Sequence, residues 1–354
     1  MAVYTTINDP TIYFNTVLYA GDDSTSHAIT GVNFQPDWVW LKNRTSAADH
    51  QLADVVRGKS GTNFLSLKTN TDSAEAVQGD NDGLNTLGSD GFTVGFTNSA
   101  GWNQSSRNYV SWNWKGGGSG SSNTDGSITS SVSASTVPGF SIVSYTGTGS
   151  ALTCGHGLGA VPRMIIVKDR DASANWNTYH AEVGNAKTVQ LNLTNAESAT
   201  SSWNSTTPTS SVFSLGAVSA VNTSSNDYIA YCFAEKQGYS KIGKYVGNGN
   251  TNGTFVYLGF RPAWVMTKRS DSSSNGHWSI FDNKRDPHNV GGNTLRADSE
   301  NTVTDFGTFA IDFLSNGFKL RGTNTHNDSG GTYIYMAFAE SPFVNSKKVP
   351  NNAR

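Results

Sequence analysis

A segment of the same shape occurs three times in this chain. Residues 34–44 read FQPDWVWLKNR, residues 160–170 AVPRMIIVKDR and residues 260–270 FRPAWVMTKRS. In each, a proline stands six residues before a lysine (Pro36/Lys42, Pro162/Lys168, Pro262/Lys268), with a bulky apolar run between them that includes Trp38, Met164 and Trp264. Catalytic motifs are rarely triplicated, whereas self-similarity at long spacing marks repeated supersecondary units that bury apolar faces together. The repeat therefore constrains architecture first.

The similarity extends around this segment. Each copy opens on an aromatic-x-Gly turn (Tyr19-Ala-Gly21, Tyr145-Thr-Gly147, Tyr245-Val-Gly247) and passes His50, Trp176 or Trp278 after the lysine. Each closes on an alternating aromatic strand: NYVSWNWK from Asn108, DYIAYCFAE from Asp227, TYIYMAFAE from Thr332. Alternation with period two predicts half-buried strands. In TYIYMAFAE it sets Tyr333, Tyr335, Ala337 and Ala339 on one face and Ile334, Met336, Phe338 and Glu340 on the other. No long stretch keeps a helical apolar period. The expectation is an all-β chain of three tandem β-sandwich modules, jelly-roll or lectin-like, of about 100 residues each. Trp38, Met164 and Trp264 are expected in the cores of their own modules.

The boundaries follow from composition. Residues 1–17 read as an N-terminal docking arm, 18–115 as the first module, 140–238 as the second and 239–343 as the third, with 344–354 a polar basic tail. Residues 116–139, rich in Gly and Ser, read as a flexible tether. The arm carries Tyr13, Phe14 and Val17 outside a complete module, so its apolar surface calls for a partner.

Only 15% of the 354 residues are charged and the formal net charge is −2, which speaks against a nucleic-acid binder, since neutralising phosphates takes clustered Lys and Arg. No apolar run approaches the length of a membrane-spanning helix, and the start lacks the pattern of a secretory signal. Two cysteines, Cys154 and Cys232, are too few for a disulfide scaffold; they read as free buried thiols, with pairing left open.

Motifs for chemistry are fragmentary. Residues 57–63, RGKSGTN, lack the first glycine of a phosphate-binding loop, where Ala53 stands. Cys154-Gly-His156 shows no fourfold ligand spacing, and Asp80-Asn-Asp82-Gly has no distal glutamate for calcium. No metal or cofactor is expected. Asp54 and Arg57, matched by Asp282 and Arg285, follow the lysines at a repeated interval, with His180 in place of the aspartate in the middle copy. They read as a structural cross-strand ion pair of lysine with acid. Trp102, Trp176 and Trp203 lie in Asn/Ser-rich segments that suit stacking on a sugar or peptide, and are the weak ligand-binding candidates.

The stretches TTINDPTIYFNTVLYAG, NYVSWNWKGGG, GHGLGAVPRMIIVKDRD, GYSKIGKYVGNGNTNGTFVYLGFRPAWVMTKRSD and YIYMAFAESPF resemble a family of tail-fibre-like and structural virion proteins of marine and cyanobacterial bacteriophages. The resemblance covers nearly the whole chain and carries no reaction. It implies a non-enzymatic virion component, assembled in the host cytoplasm, most simply a tail fibre or adhesin for host attachment. It also implies a homotrimer or other symmetric homo-oligomer that contacts other virion proteins and a host surface glycan or protein. A capsid decoration or head fibre without a receptor shares these features. A depolymerase on a jelly-roll scaffold would need two carboxylates about 5–10 Å apart in one groove; Asp227, Asp312 and Glu340 are the acids near aromatics.

Overall fold

The segments of β-branched and aromatic alternation fold as strands, and among the described residues the one α-helix is the four-residue Ser219–Asn222. The computed structural model describes residues 4–98, 101–307, 310–323 and 325–352. Each repeat builds an inner antiparallel sheet in one order: opening strand, closing strand, Pro-to-Lys strand, acid-bearing strand. These are Phe14–Ala20, Asn108–Trp114, Trp38–Asn43 and Gln51–Asp54 in the first unit. They are Phe140–Thr146, Asp227–Phe233, Met164–Asp169 and Asn177–His180 in the second, and Ser240–Val246, Thr332–Pro342, Phe260–Arg269 and Trp278–Asp282 in the third. A small outer sheet covers one face of each, pairing Ile29 with Phe92, Cys154 with Phe213 and Val256 with Phe318. The chain is all-β.

Register is identical in the three units: Trp38 faces Trp114, Met164 faces Phe233, and Trp264 faces Phe338. The Tyr-x-Gly turn shows why. Tyr19, Tyr145 and Tyr245 each stack on the closing-strand tyrosine (Tyr109, Tyr228, Tyr333) at 5.0–5.2 Å. Each donates its hydroxyl to a carbonyl of the segment leading into the closing strand, that of Trp102, Val221 or His326. The glycine two residues on admits that same segment: a Cβ on Gly21, Gly147 or Gly247 would lie 2.1–2.3 Å from the carbonyl oxygen of Gln104, Thr223 or Asp328. Stack, hydroxyl and glycine together set the register.

Three expectations are corrected by the packing. First, Trp38, Met164 and Trp264 are buried, but not in their own sandwiches. Between the two sheets of each unit lies a separate core, to which Tyr333, Tyr335, Ala337 and Ala339 contribute in the third. The opposite faces of all three inner sheets meet in one central core holding Trp38, Trp40, Trp112 and Trp114, Met164, Ile166, Tyr231 and Phe233, and Trp264, Met266, Met336 and Phe338. Trp38 stacks on Tyr231 of the second unit at 4.6 Å and Trp114 meets Trp264 of the third at 5.8 Å. The two faces of each closing strand are assigned as the alternation requires, yet both are buried, because the second face has other units to pack on rather than water.

Second, the arm is an integral strand. Phe14–Ala20 pairs along its length with Asn108–Trp114, and Phe14 and Ile7 enter the central core. Third, the tether is a strap. Ser121–Asn123 and Ser130–Ser135 form a hairpin whose second strand pairs with Phe140–Thr146. Its glycines are needed for close contact: a Cβ on Gly117 would lie 2.4 Å from the Ala134 carbonyl oxygen. The tail also packs on the third unit, Asn351 Nδ2 donating to the carbonyl of Ser315 at 2.9 Å.

The units are locked cyclically. His50 Nε2 donates to the Arg296 carbonyl (first unit to third), Trp278 Nε1 to that of Gln190 (third to second) and Trp176 Nε1 to that of Lys68 (second to first). A second ring runs through the acid position. Trp112 Nε1 donates to Asp282 at 3.0 Å and the Tyr231 hydroxyl to Asp54 at 2.8 Å. The third closing strand offers Met336 there, which has no proton to give, and the middle unit correspondingly carries His180, whose Nε2 donates to the Tyr335 carbonyl at 3.3 Å. The expected lysine–acid pair is not formed. Asp54 and Asp282 bind Arg57 and Arg285 at 2.5 and 2.6 Å, wholly buried. The lysines turn their amines to backbone carbonyls instead: Lys42 to Asn43 and Glu300, Lys268 to Thr194 and Gly276, Lys168 to Asp169 and Ala172. Burial lowers all three amines to about 8.

Trp264→Ala is expected to cost about 3–5 kcal/mol as a large-to-small core change. Because the lost volume belongs to a core shared by three units, denaturant unfolding should remain one transition when followed by tryptophan fluorescence and by far-UV circular dichroism. A wild-type midpoint, or separate transitions for the two probes, would contradict the shared core.

Acid should loosen the assembly through its buried histidines. His50 Nδ1 accepts the Trp40 indole N–H at 2.9 Å and His180 Nδ1 accepts the Glu182 N–H at 3.2 Å, so each ring must be neutral. Burial, more than any other effect, depresses both, His180 to about 4. A depressed histidine protonates in the unfolded chain first, so its stabilisation is full above about 6.5 and is lost as pH falls towards 4. Urea midpoints should fall over that window. His180→Met should show a shallower fall from a lower starting value; an unchanged slope would remove His180 as a contributor.

Candidate functional site

The three tryptophans expected to offer stacking faces do not. Trp102, Trp176 and Trp203 are 0%, 0% and 1% exposed. Trp176 locks the second unit to the first, Trp203 donates its indole N–H to the Lys187 carbonyl at 3.0 Å, and the Trp102 carbonyl receives the Tyr19 hydroxyl. Their polar neighbours satisfy backbone groups in the loops that close each sandwich. The reading as ligand platforms is corrected on burial alone.

Other candidate groups are also committed to the fold. Cys154 and Cys232 are free and buried, burial pushing the Cys154 thiol up to about 12. His156 serves its own turn, Nδ1 accepting from Leu158 N–H and Nε2 donating to the Thr209 carbonyl. Asp227 accepts from the Thr146 hydroxyl, Asp312 pairs with Arg321 at 2.7 Å, and Glu340 with Arg261 at 3.1 Å. Each acid has its own separate partners, and no pair of the three is joined across a groove by these contacts. Among the described residues no group of three or more His, Cys, Asp or Glu is placed to hold a metal.

A site becomes visible when the three units are compared position by position, since a departure that the common scaffold does not require marks a local task. The outer-sheet strand Phe255–Tyr257 turns Val256 inward and sets Phe255 and Tyr257 outward, 44% and 49% exposed. The pairing of Val256, Cys154 and Ile29 with the three equivalent phenylalanines makes Thr153 and Ala28 the counterparts of Phe255, and Gly155 and Thr30 those of Tyr257. Only the third unit exposes aromatic rings there. Val246, 54% exposed, lies nearby on the opening strand Ser240–Val246.

These rings form one wall of a groove of about 460 Å³ with Lys241, Gly243 and Tyr245 beneath and Arg163, Glu182, Glu235 and Lys244 opposite. The charged wall is a connected set. Arg163 reaches Glu182 at 2.5 Å and Glu235 at 3.4 Å, and Lys244 reaches Glu182 at 3.4 Å. Glu235 accepts the Ile242 N–H at 2.7 Å, and Arg163 Nε donates to the Ile242 carbonyl at 3.1 Å. At the other wall Lys241 donates to the Tyr257 carbonyl and lies 5.4 Å from the centre of its ring. Held side chains, both donors and acceptors, face uncovered aromatic surface. These are the elements of a binding groove, apolar surface with a few fixed polar groups, and make it the candidate site. Sequence reading missed it because Phe255 and Tyr257 look like ordinary strand residues; the usable signal was their mismatch with Ala28/Thr30 and Thr153/Gly155.

Comparison with curated proteins returns no match. A family described as a domain of unknown function (DUF7483) matches residues 9–342, spanning all three units and the strap. On that match the chain belongs to the DUF7483 family.

Proposed function

We propose that the protein is a non-enzymatic structural component of a bacteriophage particle, a tail fibre or adhesin that contributes to host attachment. The observation that carries this reading is the division of labour in the chain. The buried Trp, His, Lys and Asp–Arg groups are spent on joining three units, while the uncovered aromatic rings of the third unit gather at one groove along its border with the second. The resemblance of the quoted stretches to phage virion proteins supplies the biological setting. A capsid decoration or head fibre without a receptor fits the same rigid body and is separated from the first reading by location alone. The carbohydrate depolymerase fits less well: Glu182 and Glu235 are two carboxylates in one groove, but they share Arg163 and one of them caps a strand N–H.

Assembly into a homotrimer or other symmetric homo-oligomer remains part of the proposal; within residues 4–17 Ile7 and Phe14 are already buried in the chain, while Ile12 is exposed. Contact with other virion proteins and with a host surface glycan or protein belongs to it as well.

Gold labelling of an epitope-tagged chain in intact particles, read by cryo-electron microscopy, is expected to place it on tail fibres. Label on the head would favour decoration, and particles without label would remove the virion reading. Multi-angle light scattering of the full chain is expected to give a closed oligomer, and a monomer at micromolar concentration would refute that part.

A further inference from the structure

The three units face one structural problem and solve it differently. In each, the opening strand comes first in the inner-sheet order, so it is an edge unless a further strand covers it. Pairing alternates along an antiparallel edge. Tyr239 bonds to Ala339 of the closing strand and Gly247 to Gly331 just before it, so Ser240, Ile242, Lys244 and Val246 turn their backbone groups outward, where the Lys236 carbonyl already accepts the Ser240 N–H and the Thr254 hydroxyl donates to the Val246 carbonyl. The equivalent outward residues of the second unit, Phe140, Ile142 and Ser144, are paired with Ser135, Ser133 and Ser131 of the strap.

The strap covers both walls. Val132 lies opposite Val143 and joins the core of the second unit. Ser127 exchanges hydrogen bonds with Thr153, and the Ser130 hydroxyl donates to the Gly155 carbonyl. Thr153 and Gly155 are the counterparts of Phe255 and Tyr257, and Val143 that of Gly243. In the first unit Asn15 ties the opening strand to the outer-sheet side, its Nδ2 donating to the carbonyls of Gly31 and Val32, and a smaller pocket of about 310 Å³ without exposed aromatic rings lies along the edge, lined by Phe14, Asn15, Thr16, Ala263, Lys284 and Glu340. In the third unit no strap is present among the described residues, and the same place is the groove.

We propose that the groove between Ser240–Val246 and Phe255–Tyr257 is a strand-acceptor site for an extended polypeptide segment of a protein partner. The segment lies antiparallel to Ser240–Val246, as residues 130–135 lie on the second unit. Its chemistry follows from that occupant: small polar residues alternating with an aliphatic side chain, here seated over Gly243 against Tyr245 and Val256. Its backbone takes over the Ile242 N–H and carbonyl from Glu235 and Arg163, which keep each other as partners. Main-chain pairing supplies the affinity, and Phe255 and Tyr257 clamp the outer side. Strand capture by this edge does not depend on where the protein resides.

A random-peptide library panned against the purified full chain, with each enriched peptide then titrated as a fluorescein conjugate by anisotropy, tests this. Expected are peptides with the alternating pattern, bound at least about tenfold more weakly by Phe255→Thr/Tyr257→Thr, which removes the aromatic clamp. Those substitutions are at exposed positions, so the thermal midpoint should not move. Lys244→Pro, which removes an outward N–H from an edge strand, should also abolish binding while leaving the internal ladder intact. Peptides that bind Lys244→Pro as well as wild type would overturn strand pairing. So would a library with no peptide sensitive to the double substitution, or an oligosaccharide array that yields ligands sensitive to it where peptides do not.

Discussion

The central core is the constraint on which the other features depend. A strand in a two-layer sandwich has one face in the core and one in water, and its outward positions are free to be polar. Here the closing strands have no outward face. Val110, Trp112 and Trp114, with Ile229, Tyr231 and Phe233 and with Ile334, Met336 and Phe338, meet at the centre, while the alternate residues of the same strands fill three separate sandwich cores. Large residues are confined to the inner face and smaller or tyrosine residues to the other: Ala230 and Cys232 in one unit, Ala337 and Ala339 in another. A single unit taken alone would expose Trp264, Met336 and Phe338 together, a patch that water disfavours strongly. The three repeats are thus one folding problem.

Apolar contact is non-directional and does not by itself choose how three units rotate about their common centre. The directional groups do. In one ring each unit sends an indole or imidazole N–H to a carbonyl of the next, all in one rotational sense; at the acid position the first and second units donate again to those same neighbours, and His180 of the second closes the circuit by donating to the third. Buried Asp54 and Asp282 would be costly if alone. Each instead accepts from Arg57 or Arg285 and from the neighbouring unit, so removal of either partner would leave a charge in a dry place. The amines of Lys42 and Lys268 do similar work by reaching carbonyls of a neighbouring unit, Glu300 and Thr194, while that of Lys168 binds carbonyls of its own unit.

Much of this was legible in the sequence, for physical reasons that can be named. Period-two alternation identified the closing strands and assigned their faces correctly, since the geometry of a strand leaves no choice. The Tyr-x-Gly turn and the Pro-to-Lys segment marked equivalent places in every unit. What the sequence concealed was what lies beyond the second face. A bulky apolar face reads the same whether it packs on its own second sheet or on a sister unit, so Trp38, Met164 and Trp264 were placed in the wrong core. The Gly/Ser composition of residues 116–139 misled in the same manner. Glycine serves a flexible tether and a strand that must approach another backbone, and only the contact of Gly117 with Ala134 distinguishes them. The buried Trp102, Trp176 and Trp203 show the converse, since Asn and Ser beside an indole can satisfy loop backbone as readily as they can meet a ligand. His180 was visible as an exception, and its reason, the methionine facing it from another unit, lay 156 positions away at Met336.

A pseudo-symmetric chain also separates what the fold demands from what it merely permits. An open edge strand invites pairing with other chains, and proteins guard such edges with side chains or cover them. The first unit uses a short amide that reaches the adjacent loop, and the second a covalently attached strand. The third uses a glutamate and an arginine that mimic a neighbouring strand's acceptor and donor at Ile242. These guards differ in reversibility. Removing the strap would expose Val132 and part of a sandwich core, whereas rotating Glu235 and Arg163 away exposes two backbone groups and leaves the core of the third unit intact. The aromatic residues that water would rather not see, Phe255 and Tyr257, stand beside the guard that is easiest to move. Of three equivalent edges one is covered by a strand of the same chain, and of the two guarded by side chains the third unit's is the one flanked by exposed aromatic rings.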